Sequence, residues 1–260
     1  MNKTNTSSNT QSLKRTKIIS IAELGIAHGG SVDVALKMIS DAASAGADIV
    51  KFQSYNPLDI LGPNSPHLQE ALAAQLHWQD LKALSAAASA LGVDFGCSFF
   101  HPDQIEPAEM ILNMTHYKVA SRAATNPCLL REVNRTKKPA YVSVGLLDRP
   151  GINRALEALR DCPVTLLYCV CKYPCTPADF DMAEVAHLRD FGVQTGFSSH
   201  CPDMMPTLSA IGLGATVVEN HVKPDTYRGC DAAASMDWHT YRALVKSIRE
   251  IEANEPAPSN

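Results

Sequence analysis

Two lysines stand inside otherwise apolar, strand-like runs, Lys51 in DIVKFQ and Lys118 in HYKVAS. A charged amine in such a setting is costly to bury unless it meets an anion. The pair therefore points to a bound phosphate or carboxylate, or to ion pairing with Glu23 or Glu219. Ser121, Ser143 and Ser198 close other apolar runs and add hydroxyl donors of the kind that hold such an anion. His200 and His221 form a second set, each just past an apolar run. Two imidazoles on adjacent strands, about 5 Å apart, can share one divalent metal and leave positions open for substrate. Glu23, Gln53 and Tyr173 stand at the ends of further runs. His67, His77, His116, His187 and His239 have no such setting and read as surface or core residues.

These side chains need elements to place them. Short β-branched runs at 17–24, 47–53, 93–98, 115–120, 139–143, 164–170, 193–197 and 215–220 alternate with Ala/Leu-rich stretches at 31–45, 76–91, 102–112, 126–135, 152–160, 179–190, 205–213 and 237–252. Eight strand–helix alternations favour a closed (β/α)8 TIM barrel over an open doubly wound sheet. Ser31 reads as a helix N-cap and Gly46 as a C-cap. The first loop reads GIAHGG, which lacks the GxGxxG spacing of a dinucleotide fold. In a barrel the active site gathers at the C-terminal strand ends, where the residues above fall.

The 260 residues suit one barrel at 17–254, with disordered ends at 1–16 and 255–260. A formal net charge of -4 gives no basic footprint for nucleic acid or an anionic membrane. Residues 1–16 lack the apolar core of a secretory signal, and no run approaches a membrane span. A soluble, cytoplasmic enzyme acting on small molecules is expected. The 8 cysteines then read as free thiols.

With these residues in place, the chain resembles the sialic acid (N-acetylneuraminate) synthase family. The resemblance is carried by IAELGIAHGG, AGADIVKFQ, YKVASRAATNPCLL, KPAYVSVG, VTLLYCVCKYP, GFSSH, GATVVENHV and the stretch at 229–235. It covers the barrel alone, without the family's C-terminal antifreeze-like domain. The resemblance implies condensation of phosphoenolpyruvate with an N-acetylmannosamine-type aldehyde to a 2-keto-3-deoxy acid and phosphate. It implies a divalent metal, manganese first and magnesium, cobalt or zinc as alternatives, and a homodimer. By the same resemblance Lys51, Lys118, Ser121, Ser143 and Ser198 hold the phosphate and carboxylate, and His200 and His221 the metal. Glu23, Gln53, Tyr173 and Asp231 match positions near the sugar and the metal. Glu23, Lys51, Lys118 and Tyr173 are the candidate catalytic residues.

The sequence departs from the family at several points. Ala27-His28-Gly29-Gly30 replaces Asn-His-Asn-Gly, and Ser121-Arg122-Ala123 replaces Ser-Gly-Glu. Ser198-Ser199-His200 replaces Ser-Asp-His, and Glu219-Asn220-His221 replaces Glu-Lys-His. The anion half of the pattern is kept and the sugar half altered. A non-catalytic paralogue that binds phosphoenolpyruvate is one alternative, and a Schiff-base barrel aldolase or lyase using Lys51 or Lys118 is another. Cys97, Cys169, Cys171, Cys175, Cys201 and Cys230 all fall near strand ends on the mouth side. Of these, Cys171 is the thiol that could favour a softer metal such as zinc beside the two histidines.

Overall fold

The computed structural model describes residues 17–254; the two ends expected to be disordered, 1–16 and 255–260, lie outside the described residues. Eight parallel strands close into a barrel in sequence order. They are β1 (Ile19–Gly25), β2 (Ile49–Ser54), β3 (Asp94–Phe99), β4 (Tyr117–Val119), β5 (Ala140–Ser143), β6 (Val164–Tyr168), β7 (Gln194–Ser199) and β8 (Val217–His221). Closure is made by β1 and β8, with Glu23 paired to His221. The expected TIM barrel is therefore the observed fold. None of the helices among the described residues is long and apolar enough to cross a membrane.

The first crossover helix, α1 (Val32–Ala45), shows how local sequence sets the frame. Ser31 accepts a hydrogen bond from the Val34 N–H, and Gly46 ends the helix at φ 86°. A side chain at that left-handed position would be strained, so glycine suits it. Ala35, Met38, Ile39 and Ala42 repeat at helical spacing and are buried on the barrel side. Burying each of the two larger ones contributes about 2 kcal/mol.

Two short helices, α2 (Pro57–Leu61) and α3 (Leu68–Ala73), precede α4 (Trp78–Ala90) in the β2 connection. Each is five or six residues long, too short to leave a periodic signal in the sequence. The other crossovers are α5 (Ile105–Ile111), α6 (Pro127–Thr136), α7 (Arg149–Ala158), α8 (Ala183–His187), α9 (Met205–Gly212) and α10 (Trp238–Asn254). The helix expected at 179–190 is broken: a 3-10 turn, Pro177–Asp179, precedes α8, and another, Leu188–Phe191, follows it. The Asp179 carboxylate accepts from the Thr176 N–H and hydroxyl and from Lys172, and Asp181 caps the Ala183 N–H. Those local bonds compete with helix formation across the segment.

Strand parity decides what enters the barrel. Ile21, Ile49, Tyr141, Leu167 and Val217 form a compact apolar layer in the lumen. Two residues further along the same strands stand Glu23, Lys51, Ser143, Cys169 and Glu219, which period-two alternation aims into the lumen one layer nearer the C-terminal mouth. The other parity faces the helices. Cys97 is one of these: it is fully buried in the layer between strands and helices, while its neighbour Ser98 faces the lumen. Cys175 and Cys201 also pack into that outer core. The expectation that six thiols share the mouth is corrected for these three.

Candidate functional site

A cavity of about 470 Å³ opens at the C-terminal ends of the strands. Its walls include Glu23, Lys51, Gln53, Lys118, Ser121, Ser143, Tyr173, Ser198, His200 and His221, so all but one of the residues singled out from the sequence meet there. The remaining one, Asp231, lines an adjoining hollow of about 340 Å³ that shares Gln53, Phe100, Tyr173 and His221 with the first. A larger hollow of about 720 Å³ between α1 and α10 holds none of these residues.

Both lysines are buried, and both meet the protein's own carboxylates. Lys51 Nζ lies 2.6 Å from Glu23 Oε2, 4.0 Å from Glu219 Oε2, and donates to Ser98 Oγ at 3.0 Å. Lys118 Nζ lies 3.4 Å from Glu219 Oε1 and donates to Ser143 Oγ at 3.0 Å. Ser198 donates to Glu219 Oε1 at 2.9 Å, and Gln53 to Glu23 Oε1 at 2.6 Å. Burial works against charge at Glu219, yet Lys118, Lys51 and the Ser198 hydroxyl outweigh it and hold its carboxyl at about 2. Burial likewise works against charge at Lys51, and Glu23 and Glu219 overcome it and raise its pKa. Lys51 and Glu219 are thus held in their charged forms.

The network leaves room for an incoming anion. Lys51, Lys118 and Arg122 line the cavity against Glu23 and Glu219, giving a net positive wall. Arg122, the cation where the resembling family has glycine, also donates to the Ile60 carbonyl of α2 at 2.6 Å. Glu219 Oε2 is buried and accepts no hydrogen bond from the protein, with Lys51 Nζ 4.0 Å away. Gly96 on β3 makes the crossing of Lys51 feasible. A Cβ there would stand 3.1 Å from His116 Nε2, 3.2 Å from Ile49 Cγ2 and 3.4 Å from Lys51 Cγ.

Across the cavity, His200 and His221 sit with ring centroids 5.4 Å apart. His200 Nδ1 is 2.7 Å from the Val170 carbonyl, which can only accept, so the proton is on Nδ1. Nε2 then carries the lone pair and accepts from Tyr173 Oη at 2.7 Å. Burial first, and His221 second, keep this ring neutral, with its pKa near 3. A neutral ring whose far nitrogen is tied to a carbonyl is the form in which histidine ligates metals. These two rings fit a divalent ion on that ground, although no third His, Cys, Asp or Glu among the described residues joins them in a tight ligand cluster.

Several departures noted in the sequence face away from this chemistry. Ser199 and Asn220 lie on the helix-facing parity; Asn220 donates to Thr207 at 2.9 Å. Ala123 is buried and forms no part of the cavity wall. The retained His28 of the first motif packs on Phe52, with its Nδ1 accepting from the Gly30 N–H. The sequence reading set Ser98 at the end of the third strand and noted Arg122 as an added cation, but gave neither a part in the anion site. Ser98 shares its lumen-facing parity with Gly96.

All eight cysteines are free thiols. Cys169 and Cys171 line the cavity beside Ser121. The Cys169 thiol, above all, lowers the Cys171 pKa to about 6, with the Ser121 hydroxyl, Lys118 and Arg122 adding to it against burial.

Comparison with known proteins agrees with this fold. Residues 38–256 match the model of the NeuB family. The chain is 29% identical to N,N'-diacetyllegionaminic acid synthase of Legionella pneumophila, covering 92% of this chain and 75% of that protein. It is 28% identical to pseudaminic acid synthase of Campylobacter jejuni, over 91% of this chain and 74% of that one. The crystal structure of N-acetylneuraminic acid (sialic acid) synthetase from Leptospira borgpetersenii in complex with citrate superposes with a TM-score of 0.88 at 25% identity, covering 94% of this chain and 88% of that one. The matched span takes in β2 to β8, including both lysines and both cavity histidines, and the chain belongs to the NeuB family.

Proposed function

We propose that this protein condenses phosphoenolpyruvate with a sugar-type aldehyde of the N-acetylmannosamine kind, giving a 2-keto-3-deoxy acid and inorganic phosphate. One observation carries the reading: two buried lysines flanked by hydroxyls face two histidines, one of them held neutral, across a single cavity. The first group suits a substrate bearing phosphate and carboxylate. The second suits a carbonyl acceptor. The names of the Legionella and Campylobacter relatives, both synthases of acidic sugars, support the same class.

In this reading Lys51, Lys118, Ser121, Ser143 and Ser198 hold the phosphate and carboxylate, exchanging part of their contact with Glu23 and Glu219 for the ligand. Lys118 is the freer of the two amines, because its carboxylate contact is the longer. His200 and His221 would hold a divalent ion, manganese by preference, which supplies Lewis acidity at the aldehyde oxygen. Gln53, Tyr173 and Asp231 line the acceptor compartment, and Glu23, which accepts from Gln53, stands on the anion side; Glu23 and Tyr173 are placed to exchange protons. The enol carbon C3 bonds to the aldehyde carbon, and the aldehyde oxygen takes up a proton. Water adds at C2, and the C2–O bond to phosphate breaks, so the bridging oxygen departs with the phosphate. Fixed cations already in place lower the barrier without reorganisation. The reading carries with it a cytoplasmic enzyme and a homodimer.

The Schiff-base alternative meets a physical obstacle at Lys51. An imine-forming lysine must be neutral, and Lys51 is held charged by Glu23 and Glu219.

Mass spectrometry of reactions with phosphoenolpyruvate, manganese and one aldehyde at a time tests the proposal. The expected product has the composition of the aldehyde plus a pyruvate unit. Binding of phosphoenolpyruvate with no such product from any aldehyde would instead support the non-catalytic alternative.

A further inference from the structure

Outside the cavity just described, one group of side chains gathers metal-ligating atoms from distant parts of the chain. His67 and Glu70, three residues apart at the start of α3, meet Cys230 from the loop after β8. Their ligand atoms all lie within 4.8 Å of one another. We propose that His67, Glu70 and Cys230 form a zinc site that clasps the α3 segment to the β8–α10 loop beside the acceptor compartment.

The surrounding bonds hold the donors in place. Glu70 Oε1 accepts from Tyr227 Oη at 2.8 Å, and both carboxylate oxygens lie 3.1 Å from the Cys230 N–H. Such outer contacts orient a ligating carboxylate and leave it lone pairs for the ion. Gly229 permits the approach, because a Cβ there would collide with Glu70 Oε1 and Tyr227 Oη. Asp231 adds a further carboxylate, 3.7 Å from Cys230 Sγ. The Glu70 and Asp231 carboxylates beside Cys230 make the pocket anionic, and a divalent ion bound there would take Cys230 as the thiolate, its proton passing to water.

The donor set selects the metal. One imidazole, one thiolate and one carboxylate suit zinc, whereas manganese and magnesium prefer oxygen. Tetrahedral zinc places its ligand atoms roughly 3.5 Å apart, so the three donors, at most 4.8 Å apart, close by no more than about 1.3 Å. The fourth position is left to water. His67 and Cys230 also line the smaller hollow with Asp231, Tyr173 and His221. The ion would therefore fix one wall of that hollow while remaining distinct from the His200–His221 pair.

Cobalt(II) as a spectroscopic substitute tests the assignment, since only thiolate ligation gives the near-ultraviolet sulfur-to-cobalt absorption. The full-length protein and its His221→Ala variant are expected to show that absorption equally. Cys230→Ser should abolish it, and His67→Ala should weaken zinc binding at least about tenfold, by competition with a chelating dye. His67 is exposed, so His67→Ala should keep the melting temperature of the metal-free protein and remains decisive if Cys230→Ser fails to fold. Absence of the absorption in the parent protein would overturn the proposal. So would an absorption that survives Cys230→Ser but is lost in Cys171→Ser, or unchanged zinc affinity in His67→Ala.

Discussion

The most consequential single residue is Lys118, which has two jobs that a double substitution separates. Lys118→Ala leaves Glu219 buried with a weaker partner, and loss of one member of a buried pair costs about 3 kcal/mol. It should also weaken phosphoenolpyruvate binding at least about 100-fold. Adding Glu219→Gln removes the stranded charge and should restore much of the stability in urea titrations, but none of the binding in calorimetry. Recovery of binding by the double variant would show that Lys118 serves the fold alone. His221→Ala should keep the cooperative melt and lose manganese binding; an unfolded variant would make that histidine structural. These residues were legible because charge and imidazole are costly inside apolar runs. Whether a lysine meets a ligand or a carboxylate was not legible, because Glu23 becomes a neighbour of Lys51, and Glu219 of both amines, only when β1, β2, β4 and β8 close on one another.

At the scale of elements, the short β3 strand carries an unusual demand. Gly96→Ala inserts a Cβ 3.1 Å from His116 Nε2 and 3.2 Å from Ile49. Overpacking of this kind costs about 1–3 kcal/mol. It should also displace the Lys51 stem, so the variant is expected to melt lower and to bind phosphoenolpyruvate more weakly. A variant with wild-type melting and affinity would contradict the packing described for that strand. Strands and capped helices were readable from alternation and from Ser31 and Gly46. The α2–α3 insertion and the break around α8 were not, since helices of five or six residues leave no periodic trace and side-chain capping at Asp179 and Asp181 overrides composition. The position of Cys97 was misread for want of parity: strand ends were located, but which neighbour faces the lumen requires the register.

The whole molecule is a closed sheet whose lumen turns from apolar to charged within one layer. That boundary was implicit in the sequence, two residues beyond each lumen-facing apolar side chain, once eight strands were recognised. Burial on both sides of the sheet also gives the protein a pH signature. Desolvation lowers His28 and His116 from 6.5 to about 4. Between those values the unfolded chain takes up protons that the folded chain refuses, so stability should fall as pH drops from about 6.5 to 4, by on the order of 2 kcal/mol per histidine. Glu219 acts lower, because its stabilisation is present above 4.5 and is lost as pH falls towards about 2. Urea midpoints measured from pH 7 to 4 check this, and a flat profile down to pH 4.5 would contradict it. The central claim concerns the mouth of the barrel, and the direct measurement is release of inorganic phosphate from phosphoenolpyruvate with manganese, screened across aldehydes from N-acetylmannosamine to short sugars. The account predicts release that depends on an aldehyde and disappears in Lys118→Ala. Absence of both release and calorimetric binding of phosphoenolpyruvate would contradict the anion site built from Lys51, Lys118 and the strand-end serines.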